Sequence, residues 1–344
     1  MTTMRAAVMT ATGGPEVLEL QPVALAWPRH ERDVLVRLKA AGVNPADAFF
    51  RALGTYVDGP APIVLGHDGA GVVEAVGAAV TSFAPGDPVC FCNGGIGGDF
   101  GTYAEFAVVP DERLVRIPEG VDWRTAAAFP LVAITAWEAL VDRAALKSGE
   151  PVLIHAGAGG TGQMAIQLAR LKGARVATTV SSEAKAELVK SIGADLAILY
   201  RREDFVAAAL GWTKGEGLHV ALDNVGPEVM AKTFAAMAPY GRVVTLMGTP
   251  ADDDALTAYN RNLTIHNVMM LTPMWLGLKT HLKRQADIVR RLIPQLASGE
   301  IKVRIEECFP LARASAAHAR LETGGMSGKI VLDIDGRGDA RAPS

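Results

Sequence analysis

Apolar and polar positions along the chain change rhythm near residue 123. Before that point the apolar residues come in short runs, MRAAVMT, DVLVRLKAAGV, GAGVVEAVG, DPVCF, YAEFAVVP and LVRIP, broken by clusters such as TGGPE, GTYVDGPAP and APGD. That texture predicts a β-rich, mostly antiparallel domain. From Trp123 the pattern turns helical with AAAFPLVAITAWEALVDRAAL, and strand and helix then alternate through Gly248. The units are VLIHA and its following helix, ARVATTV with SSEAKAELVKSIG, DLAILY with DFVAAALGWT, HVALDNV with PEVMAKTFAAMAP, and GRVVTLMG. Such alternation predicts an α/β domain with a parallel sheet. An amphipathic segment from Thr280 to Ser298 leads into IKVRIEECFPLARASAAHARLE and GKIVLDI, which read as strand, helix and strand.

Within the α/β part the most informative stretch is VLIHAGAGGTG, Val152 to Gly162. A short apolar run suited to a buried parallel strand breaks into glycines and then into the periodic helix QMAIQLARLKG. Small residues at Ala156, Gly159 and Gly162 let the backbone turn tightly and let an anion approach the main chain. Gly160 and Thr161 would offer backbone N–H groups at the helix N-terminus, where the helix dipole favours a pyrophosphate.

Composition narrows the class. With 344 residues, 49% apolar and 21% charged, the chain can bury a core large enough for two domains. A formal charge of −3 and the absence of long basic runs argue against nucleic-acid and membrane partners. Three cysteines make no disulfide framework, and neither a signal-peptide core nor a run of about 18 apolar residues is present, so a cytoplasmic setting is expected. The last ten residues, DGRGDARAPS, read as a frayed end.

Several stretches together resemble one family. AGVNPADAFFRALGTY, PIVLGHDGAGVVEAVG, FAPGDPV, the glycine turn, LDNVGPE, GRVVTLMG and LARASAAHARLETGGMSGKIVL are similar, in this order, to the zinc-free medium-chain dehydrogenases/reductases of the quinone oxidoreductase, or zeta-crystallin, branch. The resemblance implies a GroES-like catalytic domain at residues 1–126 and 299–344, an inserted Rossmann domain at 127–270, a connecting helical segment at 271–298, and an active-site cleft between the two domains. It also implies a homodimer paired through Rossmann sheet edges.

An NAD enzyme usually carries a carboxylate after the second Rossmann strand to hold the ribose hydroxyls. That position is Val180 here, followed by the hydroxyls of Ser181 and Ser182 and the cation of Lys185, a pattern that favours NADPH; Glu183 opposes it. The family's 2′-phosphate contacts map to Ser181, Lys185 and Tyr200, with Arg201 and Arg202 following. Asn224 and Val225 resemble the turn under the nicotinamide ribose, Met247 and Gly248 the next strand end, and Thr135 a residue near the nicotinamide. Lys185 on a solvated helix face and Thr135 as a packing residue are the competing readings.

Zinc alcohol dehydrogenases share this fold, and their catalytic metal needs a cysteine after the AGV strand, a histidine in a GHE motif and a further ligand. Only the histidine has a counterpart, His67; Asn44 and Pro45 occupy the cysteine's place, and His67 is therefore read as structural. Without a metal, the hydride acceptor must already be polarised, as in a quinone or an α,β-unsaturated carbonyl. The family places the asparagine of GVNP and the tyrosine of GTY near the nicotinamide, which makes Asn44 an orienting group and Tyr56 a hydrogen-bond donor. Both also suit plain turns and loops. An alcohol dehydrogenase with a weak metal site, or a low-turnover NADPH-binding structural or regulatory protein, are the alternatives.

Overall fold

The computed structural model describes residues 3–25, 27, 29–55, 62–97, 99–250 and 255–335. The chain divides into two units, residues up to Leu131 together with those from Leu271 onward, and Val132–Met270 between them. The first boundary falls inside a helix, α3 (Pro130–Trp137), which continues as one π-helical stretch, Glu138–Arg143.

In the first unit, β3 (Asp33–Val43) forms the spine of a seven-stranded sheet. It is buried along most of its length, pairing antiparallel with β5 (Asp68–Val76), β7 (Phe106–Pro110) and β16 (Lys329–Asp333). The sheet runs on from β5 to β6 (Pro88–Cys92) and β8 (Val115–Arg116), and from β16 to β15 (Ile305–Pro310), a parallel pair in an otherwise antiparallel sheet. A second sheet sets β1 (Thr3–Met9) between β2 (Leu18–Ala24) and β4 (Ile63–Val64). At the end of β3 the chain turns into α1 (Pro45–Leu53). Asn44 caps this helix, Pro45 takes the first helical position, and Asp47 reaches back to accept the Asn44 backbone N–H at 2.8 Å. The amphipathic segment near Thr280 is α10 (Lys279–Ala297), and it belongs to this unit: Arg290 Nη2 donates to the carbonyls of Glu112 (2.6 Å) and Leu114 (2.9 Å). From β15 the chain passes through α11 (Ala314–Glu322) before β16.

The second unit is a six-stranded, fully parallel sheet. Its strands are β9 (Pro151–Ile154), β10 (Arg175–Val180), β11 (Leu196–Leu199), β12 (Leu218–Asp223), β13 (Met237–Thr245) and β14 (Thr264–Asn267), in the spatial order β11-β10-β9-β12-β13-β14. That order reverses between β9 and β12, which is where doubly wound sheets open a crevice for a ligand. Val152, Leu153 and Ile154 have no exposed surface, and Leu153 packs in a core with Ala177, Ile198, Ala221, Phe234 and Val243. Burying each large side chain of this kind is worth about 1.5–3 kcal/mol.

Three strands lie outside the pattern read from sequence. In β2 and β14 most side chains are exposed, and β4 is two residues long, so none offers an apolar rhythm to detect.

Candidate active site

The parallel sheet brings five separated strand ends to one rim. After β9 the chain makes the glycine turn, with Ala156 at φ +52° and Gly159 capping α4 (Gly160–Leu171). The turn is held down by β10: Thr179 Oγ1 accepts the Ala156 N–H at 3.1 Å, and the Gly157 N–H donates to the Thr179 carbonyl at 3.1 Å. A Cβ on Gly162 would stand 2.3 Å from the Ala156 carbonyl oxygen, so only glycine lets the helix seat against its turn. Gly160 and Thr161 form the first helical turn, where backbone donors are free of helix partners.

The rim continues beyond β10. Val180 is buried, Ser181 and Lys185 are half-buried, and Ser182 Oγ caps α5 (Glu183–Ser191) by accepting the Lys185 N–H. Tyr200, just past β11, is exposed. Glu183 is ion-paired with Arg202 at 2.6 Å, a contact between residues 19 apart that spacing did not reveal.

On the other side of the reversal, Asn224 Nδ2 donates to the His155 carbonyl at 2.8 Å, stitching the loop after β12 to the glycine turn. Asp223 organises both neighbouring loops. Its Oδ1 accepts the N–H groups of Val225 and Gly226 at 3.1 Å each, and its Oδ2 accepts the Thr245 hydroxyl at 3.1 Å. Thr245 Oγ1 in turn accepts the Met247 N–H at 3.1 Å. Val225 and Met247 are thereby held with exposed side chains, and Gly248 sits at φ +92°. Burial pushes the Asp223 carboxyl above its usual range, against the pull of its donors. Beneath the turn, His155 is enclosed between Thr179 Oγ1 (3.2 Å) and Thr233 Oγ1 (2.9 Å), and burial lowers its pKa to about 4. Thr135 lies buried in α3.

The first unit holds a different construction, a knot of buried polar groups around Asn44. Asn44 is 1% exposed. Its Nδ2 donates to Asp68 Oδ2 at 3.0 Å, and its Oδ1 accepts from Lys329 Nζ, which also donates to the Val43 carbonyl at 3.2 Å. Lysine only donates and a carboxylate only accepts, so the amide has one possible orientation. Asp68 Oδ2 lies 3.7 Å from Lys329 Nζ, and its Oδ1 accepts the Leu131 N–H at 2.8 Å. Burial lifts the Asp68 carboxyl above, and presses the Lys329 ammonium below, their ordinary ranges, while each charge resists the shift in the other. Both ends of the Asn44 amide are thus engaged within the first unit. Tyr56 lies outside the described residues.

Asp47 is the second centre of the knot. It accepts the Asn44 N–H, the Tyr103 hydroxyl at 3.0 Å and His67 Nδ1; Tyr103 Oη also lies 3.0 Å from His318 Nε2. Burial opposes the Asp47 charge, yet His67 above all, with His318 and the Asn44 N–H, holds the carboxyl below its usual range. Burial and Asp47 push the Tyr103 phenol far up, and burial brings His318 down to about 4. The sequence pattern reads His67 as structural and gives no sign of Tyr103, His318, Asp68 or Lys329; the i to i+3 spacing of Asn44 and Asp47 is the local sign of the knot.

Comparison with known proteins agrees with this architecture. Residues 30–119 match the alcohol dehydrogenase GroES-like domain, and residues 192–332 match a family described as zinc-binding dehydrogenase. The residues present do not fit that metal: among the described residues no group of three or more His, Cys, Asp or Glu side chains could hold an ion, and the Nδ1 of His67 is engaged by Asp47. The chain is 35% identical over 324 residues to a quinone oxidoreductase of Pseudomonas aeruginosa, covering 94% of this chain and 97% of that one. It is 34% identical over 340 residues to the chloroplastic NADPH-dependent alkenal/one oxidoreductase of Arabidopsis thaliana, covering 96% and 79%. The structure superposes on Escherichia coli quinone oxidoreductase complexed with NADPH with a TM-score of 0.84 at 28% identity, covering 97% and 100%. The chain belongs to the medium-chain dehydrogenase/reductase superfamily, in its quinone oxidoreductase branch, and is an NAD(P)H-type oxidoreductase.

Proposed function

We propose that the protein is an NADPH-dependent reductase that passes hydride to a quinone or an α,β-unsaturated carbonyl compound without zinc. The observation that carries this reading is the charge at the rim beyond β10. A neutral Val180 stands where an NAD site needs a carboxylate, and the nearby carboxylate of Glu183 is neutralised by Arg202. That supports a 2′-phosphate held by Ser181, Lys185 and Tyr200. Ala156, Gly159, Gly160, Thr161 and Gly162 would take the pyrophosphate, and Asn224, Val225, Met247, Gly248 and Thr135 the nicotinamide end.

The acceptor follows from charge. A saturated carbonyl would place full alkoxide charge on oxygen, and among the described residues the donor set around His67 completes no Lewis-acid site. Conjugation spreads the charge over an enolate or hydroquinone, with Tyr56 as the proposed hydrogen-bond donor and Asn44 as the orienting group. A homodimer is part of the reading: β14 ends the sheet, and Tyr240, Leu256, Tyr259 and Ile265 around it are exposed. A reducing, cytoplasmic setting accords with Cys90, Cys92 and Cys308, none of which forms a disulfide.

An NADPH oxidation screen over quinones, enals, enones and saturated aldehydes tests this directly. Conjugated acceptors are expected to turn over, with deuterium from C4-labelled NADPH appearing on the β-carbon of a saturated ketone; label on a carbinol carbon refutes it. Lys185→Ala should weaken NADPH about ten- to a hundredfold, about 1.5–3 kcal/mol, and NADH far less. Equal losses for the two cofactors refute the 2′-phosphate site.

A further inference from the structure

We propose that Asp223 and Thr245 are positioning residues for the cofactor, setting the loops after β12 and β13 in advance for its nicotinamide end. The proposal rests on the NADPH reading of the rim and adds two residues that act through those loops.

Both residues close strands of the parallel sheet, and both are buried: Asp223 has no exposed surface and Thr245 has 1%. Among the described residues no cation pairs with the Asp223 carboxylate; its partners are two backbone N–H groups and one hydroxyl. Oδ1 draws the Val225 and Gly226 N–H groups back over the end of β12, and Oδ2 takes the Thr245 hydroxyl from the neighbouring strand. Thr245 Oγ1 accepts the Met247 N–H and also lies 3.0 Å from the Gly248 carbonyl. A hydroxyl has one proton to give, and the carboxylate is the stronger acceptor, so the proton goes to Asp223. The Leu246 N–H adds a main-chain bond to the Asp223 carbonyl at 3.1 Å. One buried carboxylate thereby fixes the backbone of both loops.

Taking a carboxylate out of water with no cation beside it is costly, and here it buries little apolar surface in return. Val225 and Met247, whose amides are held, keep 48% and 56% of their surface exposed. A buried charge that fixes loops with apolar side chains left at the surface serves a ligand: the loop geometry is settled before a flat, partly apolar group arrives. The nicotinamide ring is such a group. The loops belong to the same end of the sheet as the glycine turn, since β12 pairs in parallel with β9 and Asn224 is bonded to the His155 carbonyl. Ser181, Lys185 and Tyr200 stand beyond β10 and β11, on the other side of the strand-order reversal. The brace therefore acts on one end of the cofactor and not on the other.

That split is the test. Dissociation constants are measured on the full chain for NADPH and for adenosine 2′,5′-bisphosphate, which carries the adenosine phosphates but no nicotinamide. Asp223→Ala should raise the NADPH Kd about tenfold or more and lower kcat about a hundredfold, with the bisphosphate Kd within about twofold of wild type. Asp223→Asn keeps an acceptor for the two N–H groups and a donor for Thr245, and should bring NADPH binding back to within about threefold of wild type. Should Asp223→Ala fail to fold, Thr245→Val and Thr245→Ser decide: only serine keeps the hydroxyl that holds Met247, so valine should show the NADPH loss and serine should not. Equal losses of NADPH and bisphosphate would mean a general fault in the sheet and overturn the proposal. An NADPH Kd that neither Asp223→Ala nor Thr245→Val changes, or an Asp223→Asn variant as weak as Asp223→Ala, overturns it as well. A wild type that binds neither NADPH nor the bisphosphate overturns the cofactor reading and the proposal with it.

Discussion

The rim of the parallel sheet and the knot around Asn44 solve opposite electrostatic problems. At the rim, backbone donors and half-exposed side chains stand at strand ends; Glu183, a carboxylate that would repel an anionic ligand there, is paired with an exposed arginine. In the knot, Asp47, His67, Asp68, Tyr103, His318 and Lys329 are all buried, and charges are balanced by one another rather than by water. The difference teaches that binding energy can be gathered from groups that keep their hydration until the ligand comes. Holding an amide dipole in one orientation needs groups dried and fixed beforehand.

The largest expected effect breaks the dry side of that comparison. Lys329→Met leaves Asp68 buried with its charge uncompensated, and removing one partner of such a pair costs about 3–5 kcal/mol. Urea unfolding should show that loss, and Lys329→Met combined with Asp68→Asn should recover much of it, since no net charge then remains. A single variant as stable as wild type would mean that the pair is hydrated and the knot is not dry.

What could be read without the structure follows the same division. The rim was legible because its parts are local: VLIHAGAGGTG carries strand, turn and helix within 11 residues, and each other rim residue follows an apolar run. The knot joins positions 44, 47, 67, 68, 103, 318 and 329: the pairing of β3 with β5 and β16 brings 44, 68 and 329 together, while Tyr103 comes from a loop and His318 from α11. No spacing rule links residues nearly 300 positions apart. Lys329 sits in GKIVL, where a lysine before an apolar run looks like a solvated strand end.

A second effect compares the two units through one buried histidine each. His155 and His318 are both lowered by burial from 6.5 to about 4. The unfolded chain therefore takes up protons first as pH falls, so the stability from each neutral ring is complete above about pH 6.5 and is lost progressively toward pH 4. Each contributes about 3 kcal/mol to that loss. Unfolding free energy measured from pH 7 to pH 4 should fall accordingly, and His155→Gln or His318→Gln should each flatten part of the slope. Unaltered slopes in both variants would show that neither ring is held neutral.

The smallest effect tests the wet side. Arg202 and Glu183 have 68% and 64% of their side-chain surface exposed, so their attraction is screened and worth about 0.2–1 kcal/mol. Arg202→Ala unmasks the Glu183 carboxylate at the start of α5, beside Ser181 and Lys185, where a 2′-phosphate would sit. The KM for NADPH should rise about two- to fivefold with kcat unchanged, and the KM for NADH should move less because NADH lacks the phosphate. Glu183→Gln in the same background should reverse the change, since the repelling charge is gone. Raising the salt to 1 M, where the screening length falls to about 3 Å, should shrink the difference between wild type and Arg202→Ala. A rise in KM that Glu183→Gln leaves in place, or one that persists at high salt, would show that Arg202 touches the cofactor itself rather than masking its neighbour.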